Sequence, residues 1–377
     1  MSTSKSVHGR GAADNPMNRF EPIVYVPDPE STGDDPAPGT VFLRDTTRSI
    51  VANNDSPDVP FDASVNPYRG CEHGCIYCYA RPTHEYLGFS AGLDFETRIL
   101  VKHDAAILLR RELGSPRWKP RVVALSGVTD PYQPAERRLR ITRGVLEVLR
   151  EFRNPVGVVT KNHLVTRDAD LLGELARHDA AVVNISVTTL DAGLQRIMEP
   201  RTSIPARRLA AIRTLADAGI PVRVLIAPVI PGLNDHEMPA ILDAAARSGA
   251  RAASWVLLRL PHGVAALFTD WLERHYPDRK EKVLGRIRET RDGLLNIATF
   301  GERMRGRGEL ADQIGRLFTV ARRRAGIPEN IPPLSAAAFQ RPEAHGQLGL
   351  FERAPARASR PSASGPEAAA RVTGLRQ

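Results

Sequence analysis

Two patterns of apolar and polar positions alternate through the middle of the chain. Short runs rich in valine and isoleucine recur at Ala63 to Tyr68, Val122 to Ser126, Val156 to Thr160, Val182 to Val187, Val222 to Ile230 and Ser254 to Leu258. Each reads as a strand. Between and after them, apolar residues return every three or four positions at Phe95 to Leu113, Leu139 to Phe152, Ala169 to His178, Ala206 to Ala218, Glu237 to Ser248 and Val264 to His275. These read as helices, the first with a broad face of Ile99, Leu100, Ala106, Ile107 and Leu113. A strand followed by an amphipathic helix, repeated about six times, predicts an α/β fold with a parallel sheet.

The alternation sets the boundaries of a core at residues 58–300. Residues 1–57, with the run Pro27-Asp28-Pro29-Glu30-Ser31-Thr32-Gly33-Asp34-Asp35-Pro36, carry too little apolar surface to order firmly and form a largely disordered extension. Within it, Val41 to Arg44 is a candidate strand or docking segment. Residues 301–330 show a further helical pattern through Leu310, Ile314, Leu317 and Val320, and residues 331–377 read as a flexible tail.

Charge adds a second asymmetry. The chain has a formal net charge of +9, but residues 1–60 carry five basic against nine acidic side chains, and residues 303–377 carry thirteen arginines against six acids. Arg303, Arg305, Arg307, Arg322, Arg323 and Arg324 are either a solvated helix surface or a patch that tracks the phosphates of DNA or RNA. No apolar run approaches the roughly 18 residues that span a bilayer, and Met1 to Pro16 has no export segment, which predicts a cytoplasmic protein without a membrane partner.

The chain has three cysteines, Cys71, Cys75 and Cys78, all inside one eight-residue stretch. Three thiolates can hold three irons of a four-iron cluster and leave the fourth free for a small molecule. A zinc site would have to recruit His73 or His84 as well, and a disulfide would leave one thiol over. Gly74 suits a loop that wraps closely around a bound group.

With Tyr77 at its aromatic place, the spacing C-x3-C-x2-C resembles the signature of the radical S-adenosyl-L-methionine (SAM) superfamily. The resemblance implies a partial TIM barrel with its site at the C-terminal strand ends. It implies that Cys71, Cys75 and Cys78 bind a 4Fe-4S cluster whose open iron takes the methionyl amino and carboxylate groups of SAM. One electron from an electron donor then cleaves the sulfonium to a 5'-deoxyadenosyl radical. Tyr77 would cover the cluster and the adenine.

The strand ends supply further candidates. Ser126, Gly127 and a carboxylate from Asp130 or Glu136 occupy the place of the superfamily's Gly-Gly-Glu segment, from which this sequence departs. Lys161 can pair with the SAM carboxylate and Ser186 can hydrogen-bond it or the ribose. Ile230 lies in Ala227-Pro228-Val229-Ile230-Pro231-Gly232, similar to the segment that lies against adenine but without its first glycine.

Asn66-Pro67-Tyr68-Arg69-Gly70, Tyr79-Ala80-Arg81 and Thr129-Asp130-Pro131-Tyr132-Gln133-Pro134 resemble the branch related to spore photoproduct lyase over residues 62–300. That branch implies a DNA substrate, with hydrogen returned through a cysteine outside the cluster loop. This chain has no such cysteine, so either Tyr132 is the hydrogen relay or the reaction differs. In the tail, Gln347-Leu348-Gly349-Leu350-Phe351 resembles the peptide by which repair proteins dock on the DNA sliding clamp. Three readings follow: a radical SAM enzyme for nucleic-acid repair or modification, one for a protein or small metabolite, and a non-catalytic Fe-S scaffold on the clamp.

Overall fold

A computed structural model describes residues 6–21 and 39–342. The strands among these residues are β1 (Val41–Arg44), β2 (Val51–Asn53), β3 (Ala63–Val65), β4 (Tyr68–Arg69), β5 (Arg98–Val101), β6 (Val123–Leu125), β7 (Val156–Thr160), β8 (Ala181–Ser186), β9 (Val222–Val229) and β10 (Ala252–Leu257). The main sheet runs β10-β9-β8-β7-β6-β3-β2, parallel throughout except for β2, which pairs antiparallel with β3 at one edge. Six parallel strands in chain order, each joined to its neighbour through helices, make a partial TIM barrel. All six correspond to the predicted runs.

Five of the predicted helices stand close to their expected bounds, at Ile141–Phe152, Ala169–Ala176, Pro205–Asp217, Met238–Arg247 and Gly263–His275. The sixth is corrected. Phe95 to Leu113 is not one helix but a short helix Leu93–Thr97, strand β5 and a helix Ala105–Gly114. Ile99 and Val101 are fully buried two residues apart, whereas Ile107, expected on the inner face, is 70% exposed. A period of two had been concealed inside a helical-looking window. Strand β5 joins β1 and β4 in a second, three-stranded sheet, so Val41–Arg44 does add a strand.

The segments outside the core also depart from expectation. Part of the N-terminal extension packs on the cysteine loop, as described below. In the helix Glu309–Arg324 the buried residues are Ala311, Ile314, Phe318, Ala321 and Arg322, while Leu317 and Val320 face outward. Small alanines set the inner face there, and Phe318 meets Trp255 with ring centroids 6.2 Å apart. Residues up to 342 dock: the Gln340 amide donates to Phe152 O at 3.0 Å and Phe339 lies against Phe152. The clamp-like peptide Gln347 to Phe351 lies outside the described residues.

The six arginines do not act as one free patch. Arg303 pairs with Asp58, Arg307 with Asp292, Arg322 is buried and donates to Ile327 O, and Arg305 lies over the Trp255 ring. Among the described residues no helix is long and apolar enough to cross a membrane.

Candidate active site at the cysteine loop

The three cysteines follow β4 at the C-terminal side of the sheet, before a 3-10 helix at Arg81–Leu87. The Cys71 amide donates to Phe95 O at 2.8 Å and the Cys78 amide to Cys75 O at 3.1 Å. Gly74 has φ +67, and a Cβ there would sit 2.8 Å from Glu96 Oε2, so both conformation and space require glycine. Fully buried Arg81 donates from Nε to Cys75 O at 3.1 Å and from Nη1 to Gly92 O at 2.9 Å, and it pairs with Glu96.

Glu96 ties a further segment to this loop. Its carboxylate accepts the amides of Gly11 at 3.0 Å and Ala12 at 2.9 Å. A Cβ on Gly11 would lie 1.8 Å from Gly74 O, so the N-terminal segment rests directly on the cysteine loop. Ala12 shares an apolar cluster with Cys75, Ile76 and Tyr77. The expected disorder of residues 1–57 therefore does not hold for this stretch: backbone amides and small side chains, rather than large apolar residues, fasten it.

The thiols are free; Cys71 and Cys75 are buried and Cys78 is partly so. Burial pushes all three up from the ordinary thiol range. A desolvated thiol gives up its proton when a metal's positive charge replaces it, so this donor set fits a metal centre. Among the described residues no three His, Cys, Asp or Glu side chains converge on a point that one ion could occupy. A cubane asks instead for one thiolate per iron at separate corners. The zinc alternative also loses its histidines. His73 has Nε2 3.1 Å from Asn162 Nδ2 and Nδ1 3.3 Å from Asp130 Oδ2, and His84 is buried against the rings of Phe89 and Phe95.

Beside the loop, the ends of β7, β8 and β9 meet through side chains. Lys161 Nζ donates to Ser186 Oγ at 2.6 Å and Ala227 O at 3.1 Å, and lies 5.9 Å from the centre of the Tyr77 ring. Ser186 Oγ also donates to Ala227 O, at 3.0 Å. With two of its three protons so engaged, the lysine retains one donor. Glu199 Oε1 lies 4.0 Å from Nζ and accepts from Thr188 Oγ1 at 2.7 Å and from Tyr77 OH; its other oxygen pairs with Arg208. Burial opposes the Glu199 charge, but Arg208, Lys161 and the hydroxyls outweigh it and lower the carboxyl to about 2.

Ile230 belongs to the same apolar cluster as Cys75 and Tyr77. Its amide donates to Asn234 Oδ1 at 2.6 Å, and Asn234 Nδ2 donates to Thr188 O at 2.8 Å and Pro228 O at 3.1 Å, so one asparagine fixes the whole β9 turn. Ser126 and Gly127 have φ of 122 and 126, which turns the backbone sharply at the end of β6; Ser126 Oγ donates to Thr129 O at 2.9 Å.

Two candidates have other work. Asp130 accepts Thr160 Oγ1 at 2.7 Å, the Tyr132 amide at 2.9 Å and the Lys161 amide at 2.7 Å, with His73 at 3.3 Å. Its oxygens are committed to joining β7 to the cysteine loop. Tyr132 is fully buried in the main core and its hydroxyl donates to Asp168 Oδ2 at 3.1 Å, so it does not face the cysteines as a relay would. Glu136, the other carboxylate considered, is bonded to Tyr68, Thr142 and Arg167.

Glu199, Arg208, Asn234, Glu96 and Gly11 are the site residues that sequence reasoning missed. Arg208 had a signal: it stands in register with Ala211, Ile212 and Leu215 on the buried face of its helix, where a cation needs a partner. The others carry no local pattern, because their partners are distant in the chain.

A parallel sheet whose strand ends bring a lysine–carboxylate network beside a loop of three free thiols fits a cofactor enzyme of the α/β class. The chain belongs to the radical SAM superfamily, whose profile matches residues 65–245. An uncharacterized protein of Mycobacterium tuberculosis is 36% identical over 287 residues, covering 74% of this chain and 83% of that protein. One of Methanocaldococcus jannaschii is 28% identical over 173 residues, covering 46% and 62%. Among solved structures, spore photoproduct lyase complexed with dinucleoside spore photoproduct shares the fold with a TM-score of 0.51 at 17% identity, covering 75% of this chain and 78% of that one. Membership in the superfamily carries its cofactors, a 4Fe-4S cluster and SAM.

Proposed function

We propose that Cys71, Cys75 and Cys78 hold the cluster, that SAM binds at the adjoining strand ends, and that the enzyme acts on a nucleic acid in repair or modification. When bound, the cluster and SAM supply a 5'-deoxyadenosyl radical by one-electron cleavage of the sulfonium, and the electron comes from an external electron donor. The chain's own residues do the rest. Tyr77, held by Glu199, and Ile230 give the cofactors an apolar wall. Lys161 offers its remaining donor to the SAM carboxylate, with Ser186 beside it. Ser126 and Gly127 contribute backbone at a sharp turn, while Asp130 positions the strand end that carries Lys161.

The observation that carries this reading is the junction of free thiols with the Lys161–Ser186–Ala227 network through Tyr77 and Glu199. For the substrate, support comes from the net positive charge and from the shared fold with a lyase whose structure holds a dinucleoside photoproduct. Three free thiols suit a reducing cytoplasmic location. The Gln347 to Phe351 peptide would bring the enzyme to the sliding clamp on DNA.

The test is to purify the chain without oxygen and compare its binding to DNA, RNA and a neutral polymer across salt concentrations. A nucleic-acid enzyme shows a steep loss of affinity with salt for one of the first two. Equal indifference to all three would turn the assignment towards a protein or small metabolite. A scaffold without catalysis would bind but form no 5'-deoxyadenosine.

A further inference from the structure

Beyond the cofactor residues, Arg259, just past the C-terminal end of β10, lies over the Tyr79 ring and within electrostatic reach of Arg291 and Arg303. Arg291 is fully buried; its Nη2 donates to Leu258 O and Arg303 O, but its Nε and Nη1 have no hydrogen-bond partner. Arg259 Nε is also buried without a partner, and its Nη1 reaches only the Met304 sulfur at 3.8 Å. Asp58, whose charge reaches Arg259, is already occupied by Arg303 and by the Gly301 amide at 2.7 Å. Burial and then the charge of Arg259 lower the Arg291 guanidinium to about 10. Buried guanidinium donors without acceptors are unfavourable, so the arrangement calls for an anion.

Tyr79 stands at the same place. It directly follows Cys78, is 50% exposed, and has Arg259 over its ring at 5.4 Å and its hydroxyl donating to Gly127 O at 2.7 Å. An exposed ring held at both ends is a platform on which a base can stack, and a guanidinium fork beside it matches phosphate oxygens two at a time.

We propose that Arg259, backed by the charges of the buried Arg291 and of Arg303, receives one backbone phosphate of the nucleic-acid substrate while the neighbouring base stacks on Tyr79. This rests on the nucleic-acid reading above and specifies where the strand enters. The choice of phosphate over carboxylate follows from the adjoining aromatic platform, which a nucleotide uses and an acidic side chain does not.

The experiment measures fluorescence anisotropy of a short labelled oligothymidylate, and of an oligouridylate, with the full, cluster-loaded chain across salt concentrations. Arg259→Gln, at a partly exposed position, should weaken binding about tenfold and reduce the slope of log affinity against log salt by about one. Arg259→Lys should recover the slope but not the full affinity, because it restores charge without the fork. Both variants should melt as the unaltered chain does. An Arg259→Gln chain that binds with unchanged affinity and slope overturns the phosphate site and leaves the nucleic-acid reading standing. An unaltered chain that binds neither oligothymidylate nor oligouridylate overturns both. Polyglutamate that competes as well as unlabelled oligothymidylate assigns the arginines to carboxylates and overturns the proposal.

Discussion

Glu199 pairs with Arg208 on one carboxylate oxygen and accepts Tyr77 and Thr188 hydroxyls on the other, so a fully withdrawn ion pair braces the residue before Cys78. Replacing it by glutamine leaves the Arg208 charge uncompensated in the interior. Glu199→Gln should therefore destabilise the fold by about 3 to 5 kcal/mol. Urea unfolding measures it; a variant as stable as the unaltered chain at neutral pH would show that the pair does not brace the loop.

The same carboxylate sets a pH window. Its folded value of about 2 lies below the ordinary 4.5, so its stabilisation is complete above about pH 4.5 and is lost as the pH falls towards 2. The shift corresponds to about 3 kcal/mol. In the cluster-free chain, the stability advantage over Glu199→Gln should shrink through that window. An advantage that stays constant down to about pH 2 would contradict the assignment.

The contact of Gly11 with Gly74 predicts a protective role for the N-terminal segment. Gly11→Ala would put a methyl group where Gly74 O now lies, lifting the segment off the loop. The cluster absorbance should then decay severalfold faster in air than in the unaltered chain, with initial iron content unchanged. Equal decay rates would mean that the segment does not shield the cluster.

Lys161→Ala tests the cofactor side. Loss of the last free ammonium proton should weaken SAM binding about tenfold, the range of a charged hydrogen bond, without loss of iron. Isothermal titration of SAM into the reconstituted chain reads it, and an unaltered affinity would remove Lys161 from the SAM site.

The fold was legible because its signals are local. Six strands and five helices follow from periodicity within windows of a few residues, and the cysteines announce themselves by spacing. Where the physics is not local, sequence reasoning failed. Strand β5 is hidden in the sequence because Ile99 and Leu100 also fit a helical face with Ala106 and Ile107. Arg303 looked like a surface charge because its partner, Asp58, is far away in sequence. Glu199 and Glu96 had no signature, since each acquires its role only when distant amides, hydroxyls and guanidiniums fold around it. Tyr132 offers a relay hydroxyl in a loop segment of the sequence, but burial and the bond to Asp168 make it a core residue.

Deletion of Gln347 to Phe351 separates recruitment from chemistry. The shortened chain should cleave SAM at the unaltered rate and fail to be captured by immobilised sliding clamp. Capture that survives the deletion would assign clamp binding elsewhere or to none of these residues.

The most direct test of the whole account is the amount of 5'-deoxyadenosine formed when the chain, loaded anaerobically with iron and sulfide, receives SAM and dithionite. The unaltered chain should produce it, and Cys71→Ala, Cys75→Ala and Cys78→Ala should each produce none and lack the cluster absorbance. An unaltered chain that carries its cluster and forms no 5'-deoxyadenosine, or a cysteine variant that still forms it, would contradict the account.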